Sequence, residues 1–495
     1  MKVLKYIALA LLTASLSSCG SDYLETEDTQ KLNSEQAAEV AGHNSDVFLN
    51  GMWSYMADNY TGDHDAFNFM SVMLSTDMMT QNIAINAFHY FGYDYAFDYR
   101  MAPWSRTSVD WTTFYTLVSK ANKVISLYPN RSELTDAQKA FLGQAFAMRG
   151  MSYYYLIQLY QDPVKADGTV NTEAKGVPLI YTEADGKTAE EIDAAKGRNT
   201  LGEVYAQIEN DLTTAVSLLG TSDYERPNKD YIDVNVAEGL LARYYLLSQQ
   251  WQKAADAAKL AHTGYDIMGE SGLHDGFMNI DNVEWMWGFD ESSETTTTYA
   301  SFFSHISNIA PGYSGLGLCT KLIDAELYNS IPADDYRKSL FNGPEGDAKQ
   351  KTNGAKLPYA NLKFGNDGNW TMDYPYMRAA EMILIEAEAY AHLGEGTKAA
   401  EVLKELMVKR QPSWDKTSVS VEDVYLQRRI ELWGEGFGFF DLKRLGKGID
   451  RNYEGTNHLP TYRLTIPAHA KDWTYQIPRT EMQENKHLAA SDQND

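Results

Sequence analysis

Most of the chain has the hydrophobic periodicity of amphipathic helices, with apolar residues recurring every three or four positions. This pattern predicts helices over four early segments: Glu35 to Ala57, Trp111 to Leu127, Asp136 to Tyr160 and Leu201 to Leu219. Ser34 and Thr135 stand where N-caps are expected, and Thr200 with Glu203 has the spacing of a capping box. The chain is therefore predicted to be mainly α-helical.

Two later segments repeat each other. Ala242 aligns with Ala387, and the run KAAD at Lys253 aligns with the run KAAE at Lys398. Each segment reads as a helix, a polar break and a second helix with small residues on its inner side, which resembles a tetratricopeptide helix pair. One pair cannot bury its apolar face alone, so a superhelix of stacked pairs is predicted, with pairs near residues 111–160, 201–262 and 376–410.

Long segments without clear periodicity lie between these pairs. They cover residues 58–110, 161–200, 264–375 and 445–495, and the two most loop-rich are predicted to be 58–110 and 264–375. They are rich in Gly, Asn, Asp, Thr and aromatic residues. Loops this long are usually functional, so the sequence predicts a helical scaffold that carries a binding surface.

The segment FHYFGYDYAFDY, from Phe88 to Tyr99, is unusually aromatic. If it is extended, alternate residues from Tyr93 to Tyr99 place four rings on one face. These rings either form a platform for a ligand or pack a hairpin against the helices, because aromatic residues also favour half-buried strands.

The composition is that of a globular protein, and the net charge disfavours some classes of partner. The 495 residues are 44% hydrophobic and 22% charged, which is ordinary for a globular chain, and the formal net charge is −25. Such a surface repels phosphate backbones and anionic headgroups, so nucleic acid is not expected as a partner.

The N-terminus reads as a targeting segment. Lys2 and Lys5 precede an apolar run, Tyr6 to Leu16, that is too short to span a membrane. The sequence LSSC ending at Cys19 resembles a bacterial lipobox, which implies cleavage before Cys19 and a lipid on that cysteine. An ordinary signal peptide is the alternative. The predicted organisation is a signal peptide (1–18), an acidic flexible tether (19–34) and a single domain (35–495).

The second cysteine, Cys319, has no partner within the chain if Cys19 is lipidated. It stands among Leu316, Leu318 and Leu322 and is predicted to be a small buried hydrophobe.

A search for catalytic motifs finds no HExxH, GxSxG, P-loop, CxxC or EF-hand pattern, and the histidines lack metal-ligand spacing. No metal or cofactor is predicted. The run GYSG at Gly312 falls short of a nucleophile elbow. Glu431 and Glu435 lie one helical turn apart among Arg and Lys residues. Ion pairs that fix a buried corner explain them better than the carboxylate pair of a glycosidase.

The segment that holds those glutamates, RIELWGEG from Arg429 with FFDLKRLG from Phe439, resembles the C-terminal signature of the SusD-like (SusD/RagB) family. Other motifs match in order: Trp111, Tyr115 and Asn122; AMRG at Ala147 with GVPLI at Gly176; LID at Leu322; YMRAAE at Tyr376; and YQIP at Tyr475. The resemblance covers nearly the whole chain. A longer spacer at Pro163 to Lys175 and the ending SDQND depart from the family pattern.

The resemblance implies a fold and a function. The fold would be a superhelix of tetratricopeptide-like pairs with a loop-rich region packed on it. The protein would be a surface lipoprotein of the outer membrane of Bacteroidetes that captures oligosaccharide. It would act as the lid of a TonB-dependent, SusC-like transporter and would not be an enzyme. The acidic residues after Cys19 resemble a surface-export signal of such lipoproteins: Asp22, Glu25, Glu27 and Asp28.

The family's sugar sites differ between members and tend to lie on loops that correspond here to residues 60–110 and 270–320. Aromatic rings can stack on the apolar faces of sugars, and neighbouring polar groups can bind the hydroxyls. The residues predicted on these grounds to contact the ligand are Tyr90, Tyr93, Tyr95, Trp104, Tyr299, Tyr313, His305, Asp77 and Asn82. Trp285 and Trp287, in VEWMWGF, are predicted to lie in a buried strand instead.

Three alternatives remain open at this point. The first is a RagB-like protein that captures peptides, since an acidic face with tyrosine-rich loops suits basic peptides. The second is a glycoside hydrolase that uses a carboxylate pair such as Glu431 and Glu435. The third is a tetratricopeptide-like scaffold that binds its membrane partner and no ligand.

Overall fold

The computed structural model describes residues 46–57 and 63–495, and Phe48–Asp495 form one compact unit. The predicted signal peptide, Cys19, the tether and the first part of the helix predicted from Glu35 lie outside the described residues. The end of that helix is observed as Asp46–Ala57.

Helices make up most of the regular structure. In chain order the α-helices of the described residues are α1 (Asp46–Ala57), α2 (Asn68–Met78), α3 (Gly92–Tyr95), α4 (Ser105–Ser126), α5 (Asp136–Tyr160), α6 (Ala189–Ala194), α7 (Leu201–Gly220), α8 (Val234–Leu247), α9 (Trp251–His262), α10 (Glu270–Leu273), α11 (Phe302–Ile306), α12 (Ala325–Ser330), α13 (Ala379–His392), α14 (Gly396–Met407), α15 (Val421–Glu431), α16 (Gly438–Arg444) and α17 (Arg479–Glu484).

The strands are short and form two-stranded antiparallel pairs. They are β1 (Ile83–Ile85) with β3 (Lys321–Ile323), β2 (Trp285–Phe289) with β4 (Tyr374–Arg378), and β5 (Ile449–Asp450) with β6 (Thr465–Ile466). The buried strand predicted for VEWMWGF is confirmed, because β2 is buried along its whole length.

The long helices stack in pairs, as predicted. Helix α4 packs on α5, α5 on α7, α7 on α8, and α8 on α9; then α9 packs on α13, which also contacts α14 and α15. The two repeated segments are the pairs α8–α9 and α13–α14, and the contact between α9 and α13 makes them neighbours in space. The mainly α fold with tetratricopeptide-like pairs is therefore confirmed.

Local sequence explains where these helices begin. The Thr135 side chain accepts a hydrogen bond from the Gln138 N–H at 3.3 Å, and Thr200 does the same for Glu203 at 3.2 Å. Both are capping boxes that satisfy amide groups at a helix start. Both predicted caps are confirmed.

Close packing of α5 on α7 depends on small residues and one buried charge. A Cβ added at Gly150 would lie 2.9 Å from Leu212, so a larger residue there would push the helices apart. Next to it, the buried Arg149 donates to both oxygens of Asp211 at 2.9 and 2.8 Å and binds Asp185 at 2.8 Å. Each charge removed from water is thus paired, as burial requires.

The loop-rich region differs from its prediction in two places. Residues 58–110 contain the buried helix α2, and the segment expected to be extended from Tyr93 begins instead with the short helix α3. Phe91 and Phe97 bracket α3 with left-handed φ angles of 65° and 61°. These turns break the alternation that an extended strand would have. Residues 264–375 contain only short elements.

No helix among the described residues combines the length and the apolar character needed to cross a lipid bilayer. Cys319 is fully buried, as predicted.

Candidate functional site

Strands β1 and β3 bring two distant loops together. Ile85 pairs with Lys321, and the next residue, Asn86, donates its amide to Gly317 O at 2.9 Å and accepts from Thr320 N at 2.7 Å. The aromatic segment that follows β1 therefore lies beside the loop that precedes β3. Helix α2 lies beneath both, because α3 and α11 pack against it.

The GYSG run supports this arrangement through close backbone packing. A Cβ added at Gly315 would lie 1.9 Å from Ala310 O, so only glycine fits there. Ser314 is fully buried and donates to Asn308 Oδ1 at 2.6 Å. The motif therefore shapes the loop and does not present a nucleophile.

Five rings meet at the surface in what we call the Tyr313 cluster: His64, His89, Tyr90, Tyr299 and Tyr313. The centroid of Tyr313 lies 4.9 Å from that of Tyr90, 5.4 Å from that of His89 and 5.6 Å from that of Tyr299. Nδ1 of His64 lies 2.7 Å from the Tyr313 hydroxyl, and its ring is parallel to Tyr299 at 6.4 Å. The cluster joins four separate segments of the chain.

These rings are open to solvent. Tyr299 is 45% exposed and His89 is exposed, while His64, Tyr90 and Tyr313 are half-buried. Burial, followed by the neighbouring Tyr90, raises the pKa of Tyr313, so its phenol stays protonated and can donate a hydrogen bond at neutral pH. The cluster therefore offers flat apolar faces edged by hydroxyl and imidazole groups.

His305 lies beneath the cluster. It is fully buried and stacks with Tyr313 at 4.8 Å and with Phe67 at 5.6 Å. Burial, and then the charge of Lys321, lowers its pKa well below the ordinary value, so it is neutral. Its Nε2–H donates to His64 O at 2.8 Å. His305 was predicted to contact the ligand; the structure corrects this, because it supports the rings from below.

Tyr93 and Trp104 are exposed and form a second group with the half-buried Tyr99. We call these three residues the Trp104 cluster. Tyr93 and Tyr99 stack with centroids 4.7 Å apart, and Tyr99 lies 5.6 Å from Trp104.

Three other predicted site residues lie away from both clusters. Tyr95 is fully buried, with its hydroxyl 2.6 Å from Nδ1 of His458. Asp77 is buried, and its carboxyl oxygens accept hydrogen bonds from the backbone amides of Gly436 and Gly438 at 2.9 and 3.0 Å.

Asn82 is also buried, and its side-chain oxygen accepts from Arg429 Nε at 2.8 Å. The structure corrects these three predictions, because each side chain is committed to holding the fold.

One buried arginine ties the two clusters to the scaffold. Arg106, on α4, binds Asp94 of α3 and also donates to Asp65 O at 2.9 Å and Ser71 Oγ at 2.9 Å. Asp94 stands next to Tyr93, and Asp65 stands next to His64. A single guanidinium thus fixes the backbone beside both ring clusters.

The Glu431 and Glu435 pair is buried in an ion-pair network. Arg410 donates to Glu431 at 2.9 Å, and Arg378 and Lys363 donate to Glu435 at 2.8 and 2.5 Å. Burial alone acts to raise the pKa of each carboxyl, yet the cationic neighbours hold both pKa values below the ordinary range. A glycosidase needs an accessible acid with a raised pKa, so this pair is suited to structure and not to catalysis.

A cavity of about 830 Å³ lies elsewhere, between α7 and the segment 179–199. Its polar lining is largely committed to the fold: Arg149 binds Asp185, Arg198 donates to Gly176 O at 2.7 Å, and Glu203 caps α7. The half-buried ring of Tyr181 also lines this cavity. We therefore place the candidate site at the exposed rings. Among residues 46–57 and 63–495, no three His, Cys, Asp or Glu side chains come together as metal ligands would.

Two family models match the chain. One, described as starch-binding and associating with the outer membrane, matches residues 22–246, and one described as the SusD family matches residues 333–494. Among curated relatives, the SusD-like protein P2 of Formosa agariphila is 24% identical over 77% of this chain and 79% of its own length.

Solved structures share the fold over most of the chain. A SusD-like carbohydrate binding protein from Bacteroides vulgatus has a TM-score of 0.76 and 26% identity, covering 91% of this chain and 98% of its own. A laminarin binding SusD-like protein has a TM-score of 0.65 and 17% identity, covering 91% of this chain and 98% of its own. The second likeness is evidence of the fold alone.

Proposed function

Because the chain belongs to the SusD family, we propose that it is a surface glycan-binding lipoprotein that captures oligosaccharide and passes it to a TonB-dependent, SusC-like transporter in the outer membrane, for which it acts as a lid. The glycan leaves the site chemically unchanged. One solved relative is described as a carbohydrate binding protein, which supports a carbohydrate as the ligand.

The observation that carries this proposal is the meeting of Tyr90, Tyr299 and Tyr313 with His64 at an open surface. A pyranose has apolar C–H faces and an equatorial rim of hydroxyls. Exposed rings can cover such a face, while the Tyr313 hydroxyl and the imidazoles bind the rim. Rings held by their neighbours lose little side-chain entropy when the ligand arrives, which favours binding.

The proposed lipid anchor is supported by the lipobox at Cys19, and the proposed transporter partner is supported by membership of the family. We expect wild-type protein to fractionate with the outer membrane and to co-purify with a β-barrel transporter. Cys19→Ala should release the protein from the membrane. Wild-type protein that is soluble and free of a barrel would count against this part of the proposal.

The binding site is tested by calorimetry against plant, microbial and host glycans. Wild-type protein should bind at least one of them with micromolar to millimolar affinity. Tyr299→Ala should weaken binding about tenfold, which is about 1.4 kcal/mol, whereas Tyr299→Phe, which keeps the ring, should cost less. Tyr181→Ala, at the separate cavity, is the matched control and should bind normally. Binding of basic peptides with silence across the glycans would favour peptide uptake instead.

A further inference from the structure

A small cavity of about 280 Å³ opens beside helix α15, and its lining includes no residue of either ring cluster. Its lining comes from the turn before β1, from α15 and α16, and from the turn before β5. The polar side chains among the lining residues are Gln81, Asn82, Tyr425, Arg429 and Lys447. In the part of the chain that the structure describes, no Asp or Glu lines this cavity. A protein with a net charge of −25 thus has a cavity whose charged lining is entirely cationic.

Arg429 is the half-buried arginine of this cavity. Its Nε donates to Asn82 Oδ1 at 2.8 Å, and its guanidinium lies 5.8 Å from the centroid of the Tyr425 ring. Among the described residues, its Nη1 and Nη2 atoms have no hydrogen-bond acceptor and no carboxylate partner. The preceding arginine, Arg428, instead uses its Nε and Nη2 to bind both oxygens of Asp441. The outer edge of the Arg429 guanidinium is therefore available to a ligand.

Other donors line the same cavity. Lys447 Nζ lies 5.2 Å from the centroid of the Tyr425 ring, so two cations contact one ring. Asn82 is only 8% exposed, yet its amide nitrogen has no acceptor within residues 46–57 and 63–495. Burial raises the pKa of Tyr425 to about 12, so its phenol stays protonated at neutral pH. Positive charge and hydrogen-bond donors together suit an anion that has several acceptor oxygens.

Two carboxylates contact lining residues without lining the cavity themselves. Glu422 accepts from Lys447 Nζ at 2.7 Å, and Glu326 accepts from Gln81 Nε2 at 3.3 Å. The Glu422 side chain is 68% exposed, so its ion pair is weak in water and a ligand can compete for the ammonium group. Arg429 has no such competitor, and we expect it to contribute more to binding than Lys447 does.

From this arrangement we infer that the cavity binds a phosphate group. The open edge of a guanidinium matches a tetrahedral oxyanion in a two-point contact, and Lys447 adds a point charge. The donors of Arg429, Lys447 and Asn82 outnumber the two oxygens of a carboxylate, which favours the three oxygens of a phosphate monoester. The volume is far larger than one water needs, so there is also room for the body of the ester. The ligand is therefore a small phosphate ester, either free in solution or as a lipid headgroup.

The test is calorimetry of the full chain with glycerol 3-phosphate at neutral pH and low ionic strength, with glycerol and inorganic sulfate as comparison ligands. The proteins are wild type, Arg429→Gln, Lys447→Gln and Arg131→Gln. Arg131→Gln is the matched control. It removes the same charge from an arginine that lies 4.9 Å from the Phe146 ring in the cavity beside Tyr181 and makes no ion pair within the described residues. Circular dichroism checks folding, and Lys447→Gln alone still tests the site if Arg429→Gln does not fold.

Wild type should bind glycerol 3-phosphate more tightly than sulfate and should not bind glycerol. Arg429→Gln should weaken phosphate binding at least about tenfold and Lys447→Gln about threefold, whereas Arg131→Gln should bind normally. No binding by wild type, tighter binding of sulfate, or an equal loss in Arg131→Gln would overturn the inference. Because the measurement is phosphate binding, its outcome does not depend on whether the protein binds any glycan.

Vesicles distinguish the two sources of the phosphate. Flotation compares vesicles of phosphatidylcholine alone with vesicles that also contain phosphatidic acid, and it uses the Cys19→Ala background, which removes the proposed lipid. Retention by phosphatidic acid that is lost in Arg429→Gln identifies a lipid headgroup as the source. Binding of glycerol 3-phosphate without such retention identifies a free ester. Retention that persists in Arg429→Gln does not come from this cavity and overturns the lipid source.

Discussion

Arg106 and Asp94 form a buried two-point ion pair. Nε of Arg106 lies 3.0 Å from Oδ1 of Asp94, and Nη2 lies 3.3 Å from Oδ2. Burial raises the pKa of Asp94 to about 6, against the lowering effect of Arg106. The same guanidinium also meets Asp65 at 3.3 Å, so the scaffold helix α4 holds the backbone beside both ring clusters.

Substitution of Arg106 and substitution of Asp94 should differ in their effects on stability and on glycan affinity. In Arg106→Lys the single ammonium group cannot make the two-point contact of the guanidinium, so two buried carboxylates are left poorly paired. The substitution should cost about 3–5 kcal/mol of unfolding free energy and lower glycan affinity. Asp94→Asn keeps the shape and removes only one charge, so it should cost less on both counts. Urea melts and calorimetry measure the two effects. Equal losses for both variants would contradict the central role of Arg106.

His305 is predicted to affect binding indirectly, by holding Tyr313 and His64 in place. His305→Phe keeps a flat ring beneath Tyr313 but loses the bond to His64 O, so glycan affinity should fall about fivefold, or roughly 1 kcal/mol, with a small change in stability. His305→Ala removes the stacking as well and should lower both affinity and stability further. The comparison uses calorimetry and thermal melts. Wild-type affinity in His305→Phe would show that the hydrogen bond does not position the site.

The raised pKa values of two buried carboxyl groups predict a dependence of stability on pH. Burial raises the pKa of Asp110 to about 8 and that of Asp77 to about 7, and neither carboxyl oxygen of Asp110 has a hydrogen-bond partner among the described residues. Their pKa values in the folded state lie above the unfolded value, so between pH 4 and 8 the folded state holds more protons than the unfolded state. The stability that these two carboxyls contribute should therefore fall as pH rises through this window.

Asp110→Asn tests this dependence. At pH 8.5 the variant should be more stable than wild type by on the order of 2 kcal/mol, because it no longer buries a charge, and near pH 5 the two should be similar. The exposed Asp415 offers a control, since Asp415→Asn should leave the pH profile unchanged. Melts at several pH values measure this. A wild-type profile for Asp110→Asn would contradict it.

The Glu431 network predicts a structural and not a catalytic defect. Glu431→Gln removes a charge that Arg337, Arg378 and Arg410 share, and it should cost about 3–5 kcal/mol of unfolding free energy. Glu422, an exposed glutamate 2.7 Å from Lys447, is the matched control, and Glu422→Gln should cost less than about 0.5 kcal/mol. Sugar release by wild-type protein that is lost in a folded Glu431→Gln variant would favour the glycosidase alternative.

The helical pairs could be predicted because their signals are local. Thr135 and Thr200 cap their helices by hydrogen bonds to residues three positions on, and the apolar stripe of each long helix follows the helical repeat. Helix α2 was missed because nearly all of it is buried, so its apolar residues show no stripe. A helix that is buried on nearly every side, with polar residues such as Ser71 and Thr76 inside, has no amphipathic pattern for periodicity to detect.

The candidate site could be predicted only in part. Aromatic composition identified Tyr90, Tyr299 and Tyr313, but their meeting depends on the pairing of β1 with β3, which are far apart in sequence. His64 and His89 gave no signal, since isolated histidines have no periodicity. An extended segment would place Tyr95 and Phe97 on the same face as Tyr93 and Tyr99. The short helix α3 and the left-handed turn at Phe97 break that alternation, so Tyr95 and Phe97 are buried while Tyr93 stacks on Tyr99.

The most direct test of the central claim is a crystal structure of the protein with a bound oligosaccharide from the glycan panel. A sugar ring stacked on Tyr299 or Tyr313, with its hydroxyls near His64, is the predicted result. A well-ordered sugar in the cavity beside Tyr181, with both ring clusters bare, would contradict the proposed mode of recognition.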